Sequence, residues 1–166
     1  MSNVIRLLST AAFLVAQSAS CQALEVSRSV DIAALPAAVW AIMGDFCSIE
    51  LWHPQVEQCR LSEDEETAGI AMPVRGLKAS GGLGIIVEAE TARDGASMSY
   101  SYVLLGGPLP VKNYSSTIAV TGKAQGSVVT WRATFDADGM SDVEAVATME
   151  GVYERGLAGI AREAAK

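Results

Sequence analysis

The sequence predicts an α+β domain in which one long helix lies against a seven-stranded antiparallel sheet, and three observations carry that prediction. From Val56 to Phe135 the apolar residues come in short runs divided by glycine, proline or acidic turns. The connections Arg93-Asp94-Gly95 and Gln125-Gly126 are tight turns, which pair neighbouring strands antiparallel. From Val143 to Ala164 the pattern changes to helical spacing.

Residues 1–23 are set aside before the domain is built. Arg6 supplies a positive start, Leu7 to Ala16 an apolar run, and small residues end at Ala23, the pattern of a secretory signal peptide. Cleavage there leaves Leu24 as the mature start. The apolar run of about ten residues is well short of the roughly 20 that span a bilayer, so no stable membrane anchor is expected. Lipidation at Cys21 is disfavoured by Ser18, which stands where a lipobox carries leucine. Residues 24–166 then form one domain without linker or repeat, in a periplasmic or secreted protein. Loss of Arg6 moves the net charge from −7 to −8, which makes nucleic acid an unsuitable partner.

Glu25 to Ile32 alternates as a first strand. Pro36 opens a helix whose stripe is Val39, Trp40, Ile42, Met43 and Phe46, ending near Gly44 and Asp45. A second short helix, Ser48 to Trp52, is stopped by Pro54. Six strands follow over Val56–Leu61, Ile70–Leu77, Leu83–Glu90, Met98–Leu104, Tyr114–Val120 and Val128–Phe135, and the acidic Glu63–Glu66 run reads as a solvated turn. Ser141 and Glu144 form a capping box for the last helix, whose stripe is Val143, Val146, Glu150, Tyr153, Leu157, Ile160 and Ala164. Gly151, Gly156 and Gly159 each cost about 1 kcal/mol of helix propensity against alanine, which makes sense if the helix lies close to something.

Parity along the strands indicates what lines the space under that helix. Met98, Tyr100, Tyr102 and Leu104 share one face of their strand, as do Ile86 with Glu88, and Trp131 with Ala133 and Phe135. Tyrosine hydroxyls in an apolar space suit a ligand with a few polar groups, or else a filled core in which each hydroxyl meets backbone. The candidate ligand-binding residues are Trp52, Arg75, Glu88, Tyr100, Tyr102, Tyr114, Trp131 and Tyr153. Arg75 and Glu88 either pair with each other or a ligand inside, or point to solvent. Trp52-His53-Pro54 carries the single histidine, which either locks the corner by hydrogen bonds or serves as a general base, the one candidate catalytic residue. A lone histidine makes a zinc site improbable, and no metal or cofactor is called for. Cys47 and Cys59 either form a disulfide or remain two buried thiols. Gly106-Gly107-Pro108-Leu109-Pro110 is a hinged loop over a cavity entrance or an ordinary connection, and Gly81-Gly82-Leu83-Gly84 is a turn.

The order of these pieces resembles a known family. A strand, a helix with Pro-Ala-Ala-Val-Trp, a short helix ending Trp-His-Pro, six strands and Val-Tyr-Glu-Arg-Gly-Leu in a C-terminal helix are similar to the START and polyketide-cyclase-like (SRPBCC) superfamily, and more narrowly to its small exported bacterial polyketide cyclase/dehydrase members. The resemblance covers residues 25–165. It implies a helix-grip fold, a strongly curved sheet around the long helix with a hydrophobic cavity between, and it favours an interior place for Arg75 and Glu88. It also places Gly106–Pro110 where the superfamily's plant hormone receptors carry a latch loop, without the receptor motif. The function expected is a binding or carrier protein for a hydrophobic small molecule or lipid, leaning away from catalysis. The alternatives are a cofactor-independent cyclase or dehydratase using His53 with Tyr102, Tyr114 or Arg75, and an accessory protein partnering a periplasmic redox enzyme.

Overall fold

The chain's two ends of sheet are brought together by its first and last strands. A computed structural model describes residues 23–62 and 73–166. Strand β1 (Leu24–Ile32) runs antiparallel to β7 (Ser127–Ala137), from Leu24 opposite Phe135 to Ile32 opposite Ser127. Between them the chain forms α1 (Pro36–Met43), α2 (Ile49–Trp52), β2 (Val56–Leu61), β3 (Val74–Ala79), β4 (Gly84–Asp94), β5 (Ser99–Gly106) and β6 (Val111–Gly122). The sheet order is β1-β7-β6-β5-β4-β3-β2 with every neighbouring pair antiparallel. Helices α1 and α2 therefore carry the chain from one sheet edge to the other, and α3 (Asp142–Ala164) lies in the concavity. This is the helix-grip α+β fold.

Curvature comes from register breaks. Bulges fall between Val56 and Gln58, Val87 and Glu88, Glu90 and Ala92, and Lys112 and Ser115, and each adds local bend and twist. Asn113 occupies the last of these with φ of 52°, a left-handed conformation that asparagine tolerates well. The glycine run after β3 is a 3-10 turn at Ser80–Gly82, with φ of 70° at Gly81 and 73° at Gly82.

The capping box of α3 is formed: the Glu144 amide donates to Ser141 Oγ (3.4 Å) and the Ser141 amide to Glu144 Oε2 (3.1 Å). Its buried stripe is Ala145, Met149, Tyr153, Gly156, Leu157, Gly159 and Ile160, and Val143 is 79% exposed. The expected stripe repeated every seven residues, whereas a straight α-helix drifts about 20° per heptad against such a repeat. Counted back from Ile160, that drift carries Val143 and Glu150 off the core face. Glu150 pairs with Arg28 at 2.6 Å on the surface.

Two of the helix glycines sit against neighbours. A Cβ on Gly156 would stand 2.6 Å from the Trp131 ring and 2.7 Å from that of His53, and one on Gly159 would collide with the backbone carbonyl of Trp52. The expected strand start at Ile70, the Glu63–Glu66 turn and the proposed signal up to Gln22 lie outside the described residues. No helix among the described residues is long and apolar enough to cross a membrane.

Candidate functional site

Beside α3 the curved sheet leaves a cavity of about 230 Å³. Its floor and walls come from Leu77 and Ala79 on β3, Ile86 and Glu88 on β4, Tyr102 on β5, Tyr114 on β6, Trp131 on β7, and Met149, Val152 and Tyr153 on α3. His53 and Val56 close one side. Pro108, Leu109 and Pro110 of the β5–β6 connection and Leu83 of the β3–β4 turn form the rim, where Leu83 is 64% exposed. Gly107 lets that connection lie on β4: its φ is 137°, and a Cβ would stand 2.9 Å from the Ile86 Cα. A cavity of roughly 150 Å³ admits benzene, and drug-sized ligands occupy about 300–1,000 Å³. The space here fits a compact molecule of one or two rings.

The polar side of the wall is a chain of hydroxyls. Tyr114 and Tyr153 oxygens are 2.6 Å apart, Tyr153 and Ser116 Oγ 2.9 Å, and Tyr102 and Tyr114 3.4 Å. The Trp131 indole N–H donates to Tyr102 (2.9 Å) and to Ser116 Oγ (3.0 Å), and its ring stacks on Tyr153 with centroids 4.3 Å apart. Burial pushes the phenols of Tyr102, Tyr114 and Tyr153 up, so all three stay neutral donors at physiological pH. Ser116 is a functional residue that sequence reasoning missed. Its parity with Tyr114 on β6 is the signal that finds it.

Behind this wall Arg75 is fully buried. Its Nε donates to Glu88 Oε2 at 2.8 Å, its Nη2 lies 2.7 Å from the same oxygen, its Nη1 donates to the Phe46 carbonyl, and its guanidinium lies 3.9 Å from the centre of the Phe46 ring. Nη2 is within ion-pairing range but makes no aligned hydrogen bond. Glu88, but not Arg75, lines the cavity. Burial raises the Glu88 carboxyl above its ordinary range and Arg75 pulls it back.

His53 lines the cavity but is not free to act. Its Nε2–H donates to the Val152 carbonyl (3.2 Å) and its Nδ1 accepts the Gln55 amide (3.2 Å), so both ring nitrogens are engaged by backbone. Burial lowers its pKa to about 4, helped by the positive charges of Arg155 and Arg75 and opposed by the Val152 carbonyl. The ring is neutral and holds the corner. With both nitrogens taken, this geometry matches the corner-locking alternative of the two readings of His53.

Trp52 and Tyr100 also stand away from the cavity. Trp52 Nε1–H donates to Ser48 Oγ (3.3 Å) and its ring meets Trp131 edge-on, while Tyr100 packs against Trp40 and Phe46. Strand parity gave the correct face for Tyr100, but α1 and α2 cover that part of it. A second ion pair there, between buried Glu90 and partly exposed Arg93 (2.7 and 2.5 Å), has no counterpart in the sequence reading. The structure joins Cys47 to Cys59 by a disulfide, with Cα atoms 5.4 Å apart. No group of three or more His, Cys, Asp or Glu among the described residues is placed to hold a metal.

A family model described as polyketide cyclase / dehydrase and lipid transport matches residues 23–165. The chain belongs to this family, within the SRPBCC superfamily. Similar solved structures include the protein XoxI from Bacillus cereus, 30% identical with a TM-score of 0.75 over 86% of this chain and 96% of that one. An uncharacterised protein from Bacillus thuringiensis is 29% identical with a TM-score of 0.77 over 86% of this chain and all of that one. The Zhui aromatase/cyclase from Streptomyces sp. R1128, 19% identical with a TM-score of 0.68 over 86% and 94% of the two chains, shares the fold. Among curated proteins none matches the chain. Membership of the polyketide cyclase/dehydrase and lipid-transport family, with a cavity inside the helix grip, supports a ligand-binding or cyclase-like role.

Proposed function

We propose that the protein is an exported carrier that holds one compact, largely apolar molecule in the cavity beside α3. The observation that carries this reading is the pairing of an apolar space of about 230 Å³ with a histidine whose two nitrogens are already bonded to backbone. A hollow that offers shelter and no free imidazole is suited to holding rather than converting its guest. Export is supported by the signal-like pattern of residues 1–23 and by a Cys47–Cys59 disulfide, which persists in oxidising compartments.

Native mass spectrometry of the protein purified without denaturation tests the carrier role. The expected spectrum contains a second species heavier by the mass of a small apolar compound, lost on heating. A protein of bare chain mass whose tryptophan emission no small apolar compound alters would contradict it. An adduct of diacyl-lipid mass would mean that the rim opens far wider than the cavity described here.

One observation favours a second reading, a cyclase-like enzyme. Glu88 lines the cavity, and burial raises its carboxyl against the pull of Arg75, which places a carboxylate base beside a guest. With a β-keto substrate of polyketide type, Glu88→Gln should then abolish turnover and leave binding intact. Absence of turnover by the unaltered protein would remove this reading.

A further inference from the structure

The hydroxyl chain has a fixed direction. Ser116 Oγ–H donates to the Arg132 carbonyl (3.0 Å), an atom that only accepts. Ser116 has one hydrogen, so in its 2.9 Å contact with Tyr153 the tyrosine must donate. Tyr153 has then no hydrogen for the 2.6 Å contact with Tyr114, and Tyr114 donates there. By the same step Tyr102 is the donor toward Tyr114, across 3.4 Å, well beyond the roughly 2.7–2.8 Å usual for O–H···O. Ser116 meanwhile accepts from Tyr153 and Trp131, which fills both its lone pairs. Every hydrogen in the network except that of Tyr102 is held in a contact of 3.0 Å or less.

The acceptor side of Tyr102 is also occupied, by the Trp131 N–H at 2.9 Å. Both tyrosine and indole are buried, and Tyr102 lines the cavity. Glu88 stands on the same cavity wall, with both Arg75 contacts on Oε2. A guest's acceptor oxygen is repelled by the carboxylate and drawn to the phenol hydrogen.

We propose that Tyr102 is the ligand-orienting hydrogen-bond donor of the cavity, and that the ligand class is compact apolar molecules bearing a carbonyl oxygen that takes this hydrogen. The proposal rests on the cavity being a binding site. It follows from the one-way order of hydrogens from Tyr102 through Tyr114 and Tyr153 to Ser116, which leaves Tyr102 as the one hydroxyl whose hydrogen has no short contact.

Two probes of like shape separate the possibilities: ethylbenzene, and acetophenone, in which a carbonyl replaces one CH₂. Their dissociation constants are measured by calorimetry on the wild-type protein and on Tyr102→Phe. In that variant Trp131 N–H keeps Ser116 Oγ as partner, so no buried donor is orphaned. The expected result is acetophenone weakened roughly tenfold and ethylbenzene unchanged. The infrared carbonyl band of bound acetophenone supplies a readout that needs no variant: in wild type it lies at the lower frequency of a hydrogen-bonded ketone. If both probes bind but the band is that of a free ketone, or Tyr102→Phe weakens both alike, the donor assignment is overturned and the cavity reading stands. If neither probe binds wild type, both fall.

Discussion

Tyr100 and Tyr102 sit two residues apart on the same face of β5, and their surroundings differ in kind. Tyr100 is closed in by Trp40 and Phe46, with the Arg93 guanidinium 5.1 Å from its ring centre, while Tyr102 borders an open volume. The same contrast repeats in the two ion pairs that reach the interior. Arg93 with Glu90 ties the sheet to the Gly44 carbonyl at the end of α1, and Arg75 with Glu88 backs the cavity. The difference follows from the chain path. Helices α1 and α2 must cross from β1 to β2, and their aromatic side chains fill the end of the grip they cross. The rim at the other end is formed, among the described residues, by the Gly106–Pro110 connection and a glycine turn, which bring few large side chains inward. One end is packed and the other is hollow because of where the crossover runs.

Removing one partner from each pair gives the largest expected difference. Arg75→Leu strands a buried carboxylate and should cost about 3–5 kcal/mol of unfolding free energy. Arg93→Leu should cost markedly less, because the Arg93 side chain is 34% exposed and water can replace it beside Glu90. Urea unfolding of the two variants measures both. Equal losses would mean that the two ends are not distinguished by burial.

The Cys47–Cys59 bond staples the packed end, where the Cys59 amide also donates to Glu50 Oε2 (2.6 Å). With its cysteines 12 positions apart in the chain, reduction should lower stability by roughly 3 kcal/mol through greater freedom of the unfolded chain. Thermal melting with and without reductant checks it, and an unchanged melt would show the staple to be redundant.

His53 stands at the seam between the two ends, and its titration offers a comparable effect. The folded ring titrates near 4 against about 6.5 in the unfolded chain. As pH falls the unfolded state takes up the proton first, so the contribution is complete above about pH 6.5 and is lost progressively down to about pH 4, close to 3 kcal/mol in all. The difference in stability between wild type and His53→Asn, followed from pH 7 to pH 4, should shrink by that amount. A constant difference would mean that the ring titrates alike in the folded and unfolded chain.

The smallest contrast lies along α3. Gly156→Ala pushes a methyl against Trp131 and His53 and should cost about 1–3 kcal/mol. Gly151→Ala meets only the end of the Arg155 side chain, 3.1 Å away, and should gain up to about 1 kcal/mol from helix propensity. Circular dichroism melts of the pair decide whether close approach explains the helix glycines.

Much of this was legible in the chain. Alternation placed Tyr100, Tyr102, Trp131, Ala133 and Phe135 on inward faces, and Ser141 with Glu144 marked the start of α3 to the residue. Depth along a strand was not legible, because parity assigns a face and says nothing of what covers it. Hence parity groups Tyr100 with the cavity residues although Trp40 and Phe46 cover it, and Trp52, on α2, turns its ring edge to Trp131 outside the cavity lining. His53 drew attention as the lone histidine, yet its neutrality depends on the Val152 carbonyl, 99 residues away. Parity with Tyr114 puts Ser116 on the inward face of β6, but its place in the network appears only when the hydrogens of three tyrosines are counted.

A crystal of the protein under xenon tests the hollow end most directly, since apolar cavities of this size take up the gas. The account predicts xenon bounded by Tyr102, Leu77, Met149 and Leu109, and none beside Tyr100. A cavity without xenon, its volume taken by the rings of Tyr102 and Tyr114 turned inward, would contradict it.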